Sequence, residues 1–465
     1  MARVLALQVR VRTLILVVCE TALIVAAVAA AAYVRLGPAA IYLLTREDGF
    51  LKGLLIAVVA QASMYYADLY DLRLLTDRRE LFTRMLNALA AASLVLAAVY
   101  FWFPALIIGR GVFMVAAFFV ITLVLGWRVA FEWTSGRMKP SERLLLVGTN
   151  SGAIDLAREL FSRRHQLGVE IVGFIDPDPA RVGSAVLNPG VVGTIEDIPS
   201  VVRARRVDRV VVSLADARGK LPMDKLLELK LDGVNFDHLA SVYEEYTGKI
   251  AVENLRPSWL IFSGGFHKTR VLMACKRVLD VVIAGVGFVL ALPLMVVIAA
   301  AIKVTSRGRV LYHQKRVGHQ GHIFTVHKFR SMFEDAESAT GPVWASKQGD
   351  TRVTRLGSWL RRSRVDELPQ LWNVLRGDMS FVGPRPERPE FVRGLTHEIP
   401  YYGQRHIVRP GITGWAQVRY TYGATTEDAL QKLQYDLYYI KHLSIAFDLF
   451  IILATIKTVL LRRGV

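Results

Sequence analysis

Four long apolar stretches in the first 135 residues constrain the fold of this chain more than any other feature. They cover residues 14–34, 50–69, 86–103 and 112–133. Each is close to the roughly 20 residues that an α-helix needs to cross the apolar core of a bilayer. The pattern predicts a four-helix transmembrane bundle over residues 1–138, and the alternative interpretation is four buried helices of a cytosolic protein.

Positive charge is distributed unevenly around these stretches. Arginine and lysine precede the first stretch, separate the second from the third and follow the fourth, and the other two connections are poorer in them. The positive-inside rule therefore predicts that both ends of the bundle lie in the cytoplasm. No A-x-A-type cleavage site follows the first stretch, so we expect this segment to be retained.

The composition of the chain limits the kinds of molecule that it is expected to bind. The chain carries a net charge of +18, and 53% of its residues are hydrophobic. A basic chain suits nucleic acid, anionic lipid or phosphorylated substrates. Its long apolar stretches favour membranes and phosphates, so we expect no nucleic-acid partner. The two cysteines, Cys19 and Cys275, lie in or beside apolar segments, which argues against a disulfide framework or a zinc site.

Short apolar strands alternate with helical segments from residue 142 onward. This alternation is typical of a parallel sheet and predicts a Rossmann-like domain over residues 139–250. Its loop from Gly148 to Gly152 is an incomplete glycine fingerprint, although Asp176 follows the second strand where a ribose-binding acid could stand. A structural or regulatory domain is the favoured interpretation over a dinucleotide site.

A fifth apolar stretch, residues 278–304, differs from the first four. Basic residues flank both of its ends, and Pro293 lies near its middle. Proline removes a helical hydrogen bond and kinks a helix. The pattern predicts a re-entrant membrane helix over about residues 276–304 that breaks at Pro293 and returns to the cytoplasmic face. The alternative is an ordinary kinked spanning helix.

Candidate chemistry is concentrated between residues 361 and 390. Four arginines surround the adjacent acids Asp366 and Glu367, and the turn from Gly383 to Pro386 should hold Arg385 in one direction. Arginines suit phosphate oxygens, and carboxylates suit a hard divalent cation. The stretch therefore predicts a site for phosphate and metal. A surface helix with ordinary charge pairs is the less specific interpretation.

Other basic residues extend this prediction beyond that stretch. Lys328, Arg330 and Ser331 follow one another closely at the end of a short strand, and Arg409 heads a second loop rich in glycine and proline. We expect these cations to line the same phosphate site.

Four motifs resemble the bacterial sugar transferase family, the monotopic phosphoglycosyl transferases. The motifs are KFRSM (328–332), DELPQLWNV (366–374), RGDMSFVGPRP (376–386) and RPGITGWAQ (409–417). The resemblance covers about residues 270–465. The four spans and the Rossmann-like domain resemble the long-form members, which include undecaprenyl-phosphate glucose and galactose phosphotransferases of exopolysaccharide synthesis.

This resemblance implies a monotopic α/β catalytic domain over residues 251–465 and a specific reaction. Asp366 would attack the pyrophosphate of a UDP-sugar, release UMP and carry the sugar phosphate until undecaprenyl phosphate accepts it. Glu367 would complete the acid pair, and Mg²⁺ would bridge Asp366 and the pyrophosphate. Lys328, Arg361 and Arg385 match phosphate-holding positions. The location would be the bacterial inner membrane, with the catalytic domain on the cytoplasmic face.

Two further positions match the family less directly. Asp448 matches a late acidic residue tied to the site. Pro293 matches the break of the re-entrant helix, but Leu292 stands where family members often carry serine. We expect re-entrance to be kept, because the proline makes the kink.

Two other functions compete with this interpretation. An NAD-dependent enzyme that modifies nucleotide sugars would need a complete glycine fingerprint and a Tyr-x-x-x-Lys pair, and neither is found in the middle domain. A non-catalytic membrane scaffold of a polysaccharide assembly system would be expected to lose the acid pair, which is intact. The motifs leave the sugar and the pathway open, and a homodimer is possible.

Overall fold

The computed structural model describes residues 11–67, 69–70, 78–135, 142–162, 169–213, 222–252, 263–333, 352–420, 423 and 425–460. The chain forms two compact units, Ala2–Phe236 and Asp237–Val465. Across the described residues, five helices are long and apolar enough to cross a membrane.

The first unit begins with helices α1 (Val11–Leu36), α2 (Ala40–Arg46), α3 (Gly49–Tyr66), α4 (Arg78–Trp102) and α5 (Arg110–Ser135). The four long helices contribute to one cluster of buried hydrophobic residues, which includes Ala31, Ala57, Ala88 and Ala116. Small side chains let apolar helices approach closely. The prediction of four apolar helices is therefore confirmed, while their arrangement as a transmembrane bundle stays a prediction.

A buried ion pair lies within these helices. The Nε atom of Arg128 lies 2.6 Å from Oε1 of Glu20, and both side chains are almost fully buried. Arg128 also donates to the carbonyl of Leu69, and the Tyr70 hydroxyl donates to Glu20. Arg128 is thus a packed residue of the helices rather than a flanking charge.

The rest of the first unit is a parallel sheet with helices around it. The strands are β1 (Glu142–Val147), β2 (Val169–Ile175), β3 (Val191–Gly193), β4 (Arg209–Val212) and β5 (Asn235–His238), and the helices are α6 (Ser151–Ser162), α7 (Ile198–Arg205) and α8 (Met223–Leu231). The strand order is β3-β2-β1-β4-β5, and β1 pairs in parallel with both β2 and β4. The predicted parallel sheet is confirmed.

The polar groups at the carboxyl edge of this sheet bond to one another. Asp176 accepts from the Thr149 hydroxyl, from Arg181 and from the backbone N–H of Asp178. The side chain of Asn150 donates to the carbonyl of Ser213. Both carboxylate oxygens of Asp176 are thus engaged within the domain.

The second unit contains helices α9 (Leu239–Thr247), α10 (Arg270–Thr305), α11 (Arg355–Arg362), α12 (Gln370–Arg376), α13 (Pro389–Glu398), α14 (Trp415–Arg419), α15 (Thr426–His442) and α16 (Ile445–Leu460). Its strands are the antiparallel pair β6 (Leu311–Val317) and β7 (Ile323–Phe329) and the parallel pair β8 (Ser380–Val382) and β9 (Gly411–Thr413). The main core lies between the 3-10 turn Tyr402–Ile407 and helices α13 to α16.

This unit starts earlier in the chain than the predicted catalytic domain, which begins at residue 251. The residues from α9 to Val252 pack on the catalytic side of that boundary. Ile250 lies in the same hydrophobic core as Trp415, and the Trp415 indole donates to the carbonyl of Gly248 over 2.8 Å. Helix α9 directly follows β5, so no connecting loop marks the start of this unit in the chain.

Helix α10 is one uninterrupted helix of 36 residues, with Pro293 inside it. The break expected at Pro293 therefore does not appear in the secondary structure, and the re-entrant course stays a prediction. Both halves of α10 pack on the second unit. Ala284 contacts a cluster containing Leu371 and Val374, and Ile298 joins a cluster containing Leu360.

Candidate active site

The two adjacent acids lie in a short 3-10 turn, Val365–Glu367, between α11 and α12. Arg364 has φ 56°, in the left-handed region, and α11 ends before the acids. Leu368 and Pro369 are right-handed helical and lead directly into α12. The acids therefore sit at a bend. Their exposed fractions are only 8% for Asp366 and 9% for Glu367.

Glu367 is surrounded by cations. Its Oε1 atom accepts from Arg385 at 2.7 Å and from Lys328 at 3.4 Å, and Arg364 lies 3.9 Å away. Burial alone would raise the pKa of Glu367, but the charges of Arg385 and Lys328 outweigh it and hold this pKa well below its usual range. Glu367 is therefore a permanent anion that fixes two cations.

Asp366 has a different environment although it is the neighbouring residue. Among the described residues its carboxylate has no hydrogen bond or ion pair. Burial, and then the charge of Glu367, raise the pKa of Asp366 to about 6. Near neutral pH this carboxylate is mostly ionised, unpaired and poorly solvated, which is the state expected of a nucleophile.

Arg385 lies in a turn that is held against a second loop. The Gly383 N–H donates to the carbonyl of Thr413 over 2.8 Å, and the Gly411 N–H donates to the carbonyl of Pro384 over 2.9 Å. These two bonds continue the pairing of β8 with β9 into the turn, so that the backbone of the turn is attached to the second loop. The rigid direction predicted for Arg385 therefore comes from a loop about thirty residues later, as well as from the prolines.

Glycines make this close approach possible. A Cβ atom on Gly411 would lie 2.1 Å from the backbone nitrogen of Gly383, and one on Gly414 would lie 2.2 Å from the Gly383 carbonyl oxygen. No side chain can be accommodated at either distance. Gly411 and Gly414 are therefore required, because the backbone of the second loop packs directly against the backbone of Gly383.

One buried arginine, Arg405, and one partly buried arginine, Arg316, hold the carbonyl groups of the same turn. Arg405 donates to the carbonyl of Arg385 over 3.0 Å and pairs with Asp436 at 2.8 Å. Arg316 donates to the carbonyl of Pro386 over 3.0 Å. The backbone that carries the Arg385 guanidinium is therefore fixed by side chains from β6, α15 and the 3-10 turn before β9.

A third group of side chains holds β8, the strand that leads into the turn. The Lys276 ammonium group donates to Asp448 over 2.7 Å and to the carbonyl of Val382 over 3.0 Å. Tyr439 donates to Asp448 over 2.8 Å, and Asp280 accepts from the N–H of Phe381. Asp448 thus lies in a buried network that connects α10, α15 and α16 to the strand before the turn.

The remaining predicted residues occupy separate positions. Arg361 donates to the Ser331 hydroxyl at 3.1 Å, and its charge acts on Asp366. Arg330 is buried and donates to the carbonyl and hydroxyl of Ser306, at the end of α10. Arg409 acts electrostatically on His319, and among the described residues no contact joins it to the acid pair. The structure thus gathers Lys328, Arg361 and Arg385 around the acids.

Sequence reasoning missed Lys276, Arg405 and Asp436. Lys276 is one of the basic residues that flank the fifth apolar stretch, and the local sequence gives no special pattern at Arg405 or Asp436. The signal for Lys276 was its spacing of four residues from Asp280 at the start of an apolar helix, since paired charges in such a segment mark a buried network. No local signal joins Arg405 to Asp436.

The site offers few ligands for a metal ion. Within the described ranges, no group of three or more His, Cys, Asp or Glu side chains could hold one. Magnesium, however, is commonly held by one or two carboxylates together with substrate phosphates. The unpaired carboxylate of Asp366 fits Mg²⁺ in that form, with a phosphate ligand supplying the other oxygens.

Comparison with known families gives two matches. The bacterial sugar transferase model matches residues 271–462, and a CoA-binding domain model matches residues 66–235. Within the residues matched by the second model, Asp176, Thr149 and Asn150 lie at the carboxyl edge of the sheet and are bonded within the domain.

Similar proteins come from several bacteria. The chain is 40% identical over 262 residues to a UDP-N-acetylgalactosamine-undecaprenyl-phosphate N-acetylgalactosaminephosphotransferase of Aeromonas hydrophila, covering 56% of this chain and 61% of that protein. It is 36% identical to an undecaprenyl-phosphate glucose phosphotransferase of Komagataeibacter xylinus, covering 70% and 60%. It is 33% identical to a UDP-glucose:undecaprenyl-phosphate glucose-1-phosphate transferase of Escherichia coli (strain K12), covering 68% and 67%.

These alignments span about three fifths to two thirds of the relatives' own lengths. The matched region of the family model contains all four motifs, the acid pair and the anchored turn that carries Arg385. On this combined evidence, the chain belongs to the bacterial sugar transferase family.

Proposed function

We propose that this protein transfers a sugar 1-phosphate from a UDP-sugar to undecaprenyl phosphate through a covalent intermediate on Asp366. The observation that carries the proposal is the contrast between the two acids. Glu367 is neutralised by Arg385 and Lys328, whereas Asp366 is buried without a partner among the described residues. An unpaired carboxylate beside fixed cations suits attack on an anionic phosphate.

The reaction has two displacements at phosphorus. In the first, a carboxylate oxygen of Asp366 bonds to the phosphorus that bears the sugar, and the bond from that phosphorus to the bridging oxygen breaks. UMP leaves with the electron pair. In the second, an oxygen of undecaprenyl phosphate attacks the same phosphorus and releases the Asp366 carboxylate. The products are undecaprenyl-diphosphate-sugar and UMP.

The neighbouring cations have roles that follow from their positions. Arg385 and Lys328 converge on Glu367, and the charges of Lys328, Arg361 and Arg385 all act on Asp366. We assign these three to the phosphates of the donor, since fixed donors stabilise charge that develops in the transition state. Arg330 and Arg409 lie further from the acids, and a phosphate contact by either is the weaker part of the proposal.

Mg²⁺ would be held by Asp366 and the donor phosphates. When bound, it would neutralise charge on the phosphate oxygens. Asp366 itself supplies the nucleophile, and Glu367 keeps Arg385 and Lys328 in place.

The membrane disposition belongs to the same proposal. Both halves of α10 pack on the unit that carries the site, through Ala284 on one side of Pro293 and Ile298 on the other. Val289, Leu290, Val296 and Val297 are exposed on this helix, as expected for side chains in lipid. A re-entrant helix in the inner membrane, with the site on the cytoplasmic face, accounts for both features.

The names of the relatives guide the choice of donor. The Aeromonas protein is named for N-acetylgalactosamine and the Escherichia coli protein for glucose. We therefore propose a UDP-hexose or UDP-N-acetylhexosamine as the donor and an early step of exopolysaccharide, capsule or O-antigen synthesis as the pathway. A homodimer stays a prediction.

The decisive experiment measures intact-protein mass. Detergent-solubilised full-length protein is mixed with Mg²⁺ and each of a panel of UDP-sugars, without lipid acceptor. We expect the mass of one sugar phosphate to be added with the correct donor, and no addition to Asp366→Asn. If no donor gives an adduct, and no UMP is released after undecaprenyl phosphate is added, the protein is not this transferase and the scaffold interpretation replaces it.

A further inference from the structure

Gln370 is a buried polar side chain that the proposed mechanism has not used. Its exposed fraction is 3%, and its Nε2 atom is buried with no hydrogen-bond partner in the part of the chain that the structure describes. Buried amide groups are paired in the great majority of cases. An unpaired one beside a reaction centre therefore needs an explanation.

The backbone places Gln370 one turn after the acid pair. The 3-10 turn Val365–Glu367 continues through right-handed Leu368 and Pro369 into α12. Residues three apart align in a 3-10 helix, and residues three and four apart are neighbours in an α-helix. In an α-helical geometry, Gln370 lies one turn beyond both Asp366 and Glu367, and in a 3-10 geometry it aligns with Glu367. Its side chain is buried.

The neighbouring residue on the same face shows what this face contacts. Asn373, one turn further along α12, accepts from the N–H of His327 and donates to the carbonyl of Thr325, both on β7. Lys328 is the next residue of β7, and it reaches Glu367. Along this face, Gln370 thus lies between Asn373, whose side-chain amide is hydrogen-bonded, and the acid pair, where Lys328 contacts Glu367.

We propose that Gln370 donates a hydrogen bond from Nε2 to a non-bridging oxygen of the phosphorus that Asp366 attacks. This inference rests on the proposed function. A phosphoryl group bonded to Asp366 lies within one helical turn of Gln370, and its equatorial oxygens gain negative charge during the displacement. Gln370 thus supplies a neutral donor one turn from Asp366, in addition to the cations that surround the acid pair.

The test compares three variants of the full-length protein in detergent. Gln370→Met removes the donors at similar volume, and Gln370→Glu keeps the shape but replaces the amide by a carboxyl group. Gln434→Met is the matched control, because Gln434 is equally buried, has an unpartnered side-chain oxygen and lies in α15 away from the acids. Rapid-quench mass spectrometry measures the rate of sugar-phosphate addition at saturating donor, the half-saturating donor concentration and, separately, the melting temperature.

We expect Gln370→Met to slow adduct formation about 100-fold, as loss of one transition-state donor does, with a much smaller change in half-saturating concentration. Its melting temperature should stay the same or rise, since an unpaired amide leaves the interior. Gln370→Glu should be slower still, because it adds an anion beside two others. Gln434→Met should change the rate by less than about twofold, the ordinary result of a substitution outside the site.

Two results would overturn the inference. The first is a Gln370→Met rate within about twofold of the unsubstituted protein, the range also expected of the control. The second is failure of both Gln370 variants to fold, which would make Gln370 a packing residue. Adduct formation by the unsubstituted protein is measured first. Its absence overturns the proposed function and this inference together, whereas its presence with an unaffected Gln370→Met overturns this inference alone.

Discussion

Two adjacent carboxylic acids acquire different properties from their surroundings. Glu367 contacts Arg385 and Lys328, whereas Asp366 has no such contact among the described residues. Environments that move two acids in opposite directions commonly separate their chemical roles. At the scale of single residues, the site is therefore an acid held by two cations beside a second acid that has no such contact.

This contrast predicts opposite effects of two conservative substitutions on stability. The folded-state pKa of Asp366 is raised to about 6, above its ordinary value of 3.8. The contribution of Asp366 to the free energy of unfolding is fully present at low pH and is lost as pH rises through about 6. Asp366→Asn should therefore be more stable than the unsubstituted protein at pH 7.5, by about 2 kcal/mol. The gain should vanish near pH 4, which thermal unfolding with a chelator present measures.

Glu367→Gln is the matched control with the opposite sign. The pKa of Glu367 is lowered in the folded protein, so its contribution is present above its ordinary pKa and is lost as pH falls. This variant should be less stable than the unsubstituted protein at pH 7.5, with a deficit that shrinks in acid. If both variants shift stability in the same direction at pH 7.5, the assignment of the two environments is wrong.

At the scale of elements, the turn that carries Arg385 depends on distant partners. Carbonyl groups from Val382 to Pro386 are bonded by side chains and backbone from β6, β9, α10 and α15. Such bonds fix the geometry of a charged side chain before substrate arrives. The proposed phosphate site therefore depends on the packing of α10 and α15 on β8.

Lys276→Met tests this assembly. The substitution removes the cation that pairs with buried Asp448 and lies 3.9 Å from Asp280. Leaving a buried charge without its partner costs about 3–5 kcal/mol. We expect a corresponding fall in the free energy of unfolding, measured by denaturant titration in detergent. We also expect weaker donor binding, because the Val382 carbonyl loses one of its hydrogen bonds.

The double variant Lys276→Met with Asp448→Leu is the control. Replacing both members of a buried ion pair by apolar residues is often neutral. Most of the lost stability should therefore return, while donor binding stays weak because the Val382 carbonyl still lacks its lysine. A double variant as unstable as the single one would show that the ion pair is not the source of the effect.

At the scale of the whole molecule, the course of α10 decides how the second unit meets the membrane. A straight helix of 36 residues would be about 54 Å long, enough to cross a bilayer. Contacts on both sides of Pro293 with the same unit favour a helix whose two ends lie on one face.

Cysteine labelling tests this disposition. In a protein with Cys19 and Cys275 replaced, single cysteines are introduced at Arg270 and at Arg307, which are exposed near the two ends of α10. We expect an impermeant thiol reagent to label neither position in intact spheroplasts and both in inside-out vesicles. Glu47→Cys, in a connection predicted to lie outside, is the positive control. Labelling of only one end of α10 in spheroplasts would establish a spanning helix.

The sequence by itself determined the apolar helices, the parallel sheet, the family and the position of the acid pair. These features depend on local composition, on short periodicity or on motifs that are contiguous in the chain. The sequence did not determine that α9 packs with the catalytic unit, that α10 is uninterrupted at Pro293, or that Asp366 and Glu367 lie at a bend after a left-handed Arg364.

Tertiary structure alone decided which charges meet. Lys276 and Asp448 are far apart in sequence, as are Arg385 and the Thr413 loop, and local patterns carry no information about such pairs. Burial then decided the chemistry, because removing water from two neighbouring acids makes their ionisation depend on which one reaches a cation. The residues of the site are readable from the sequence, and their division of roles arises from folding.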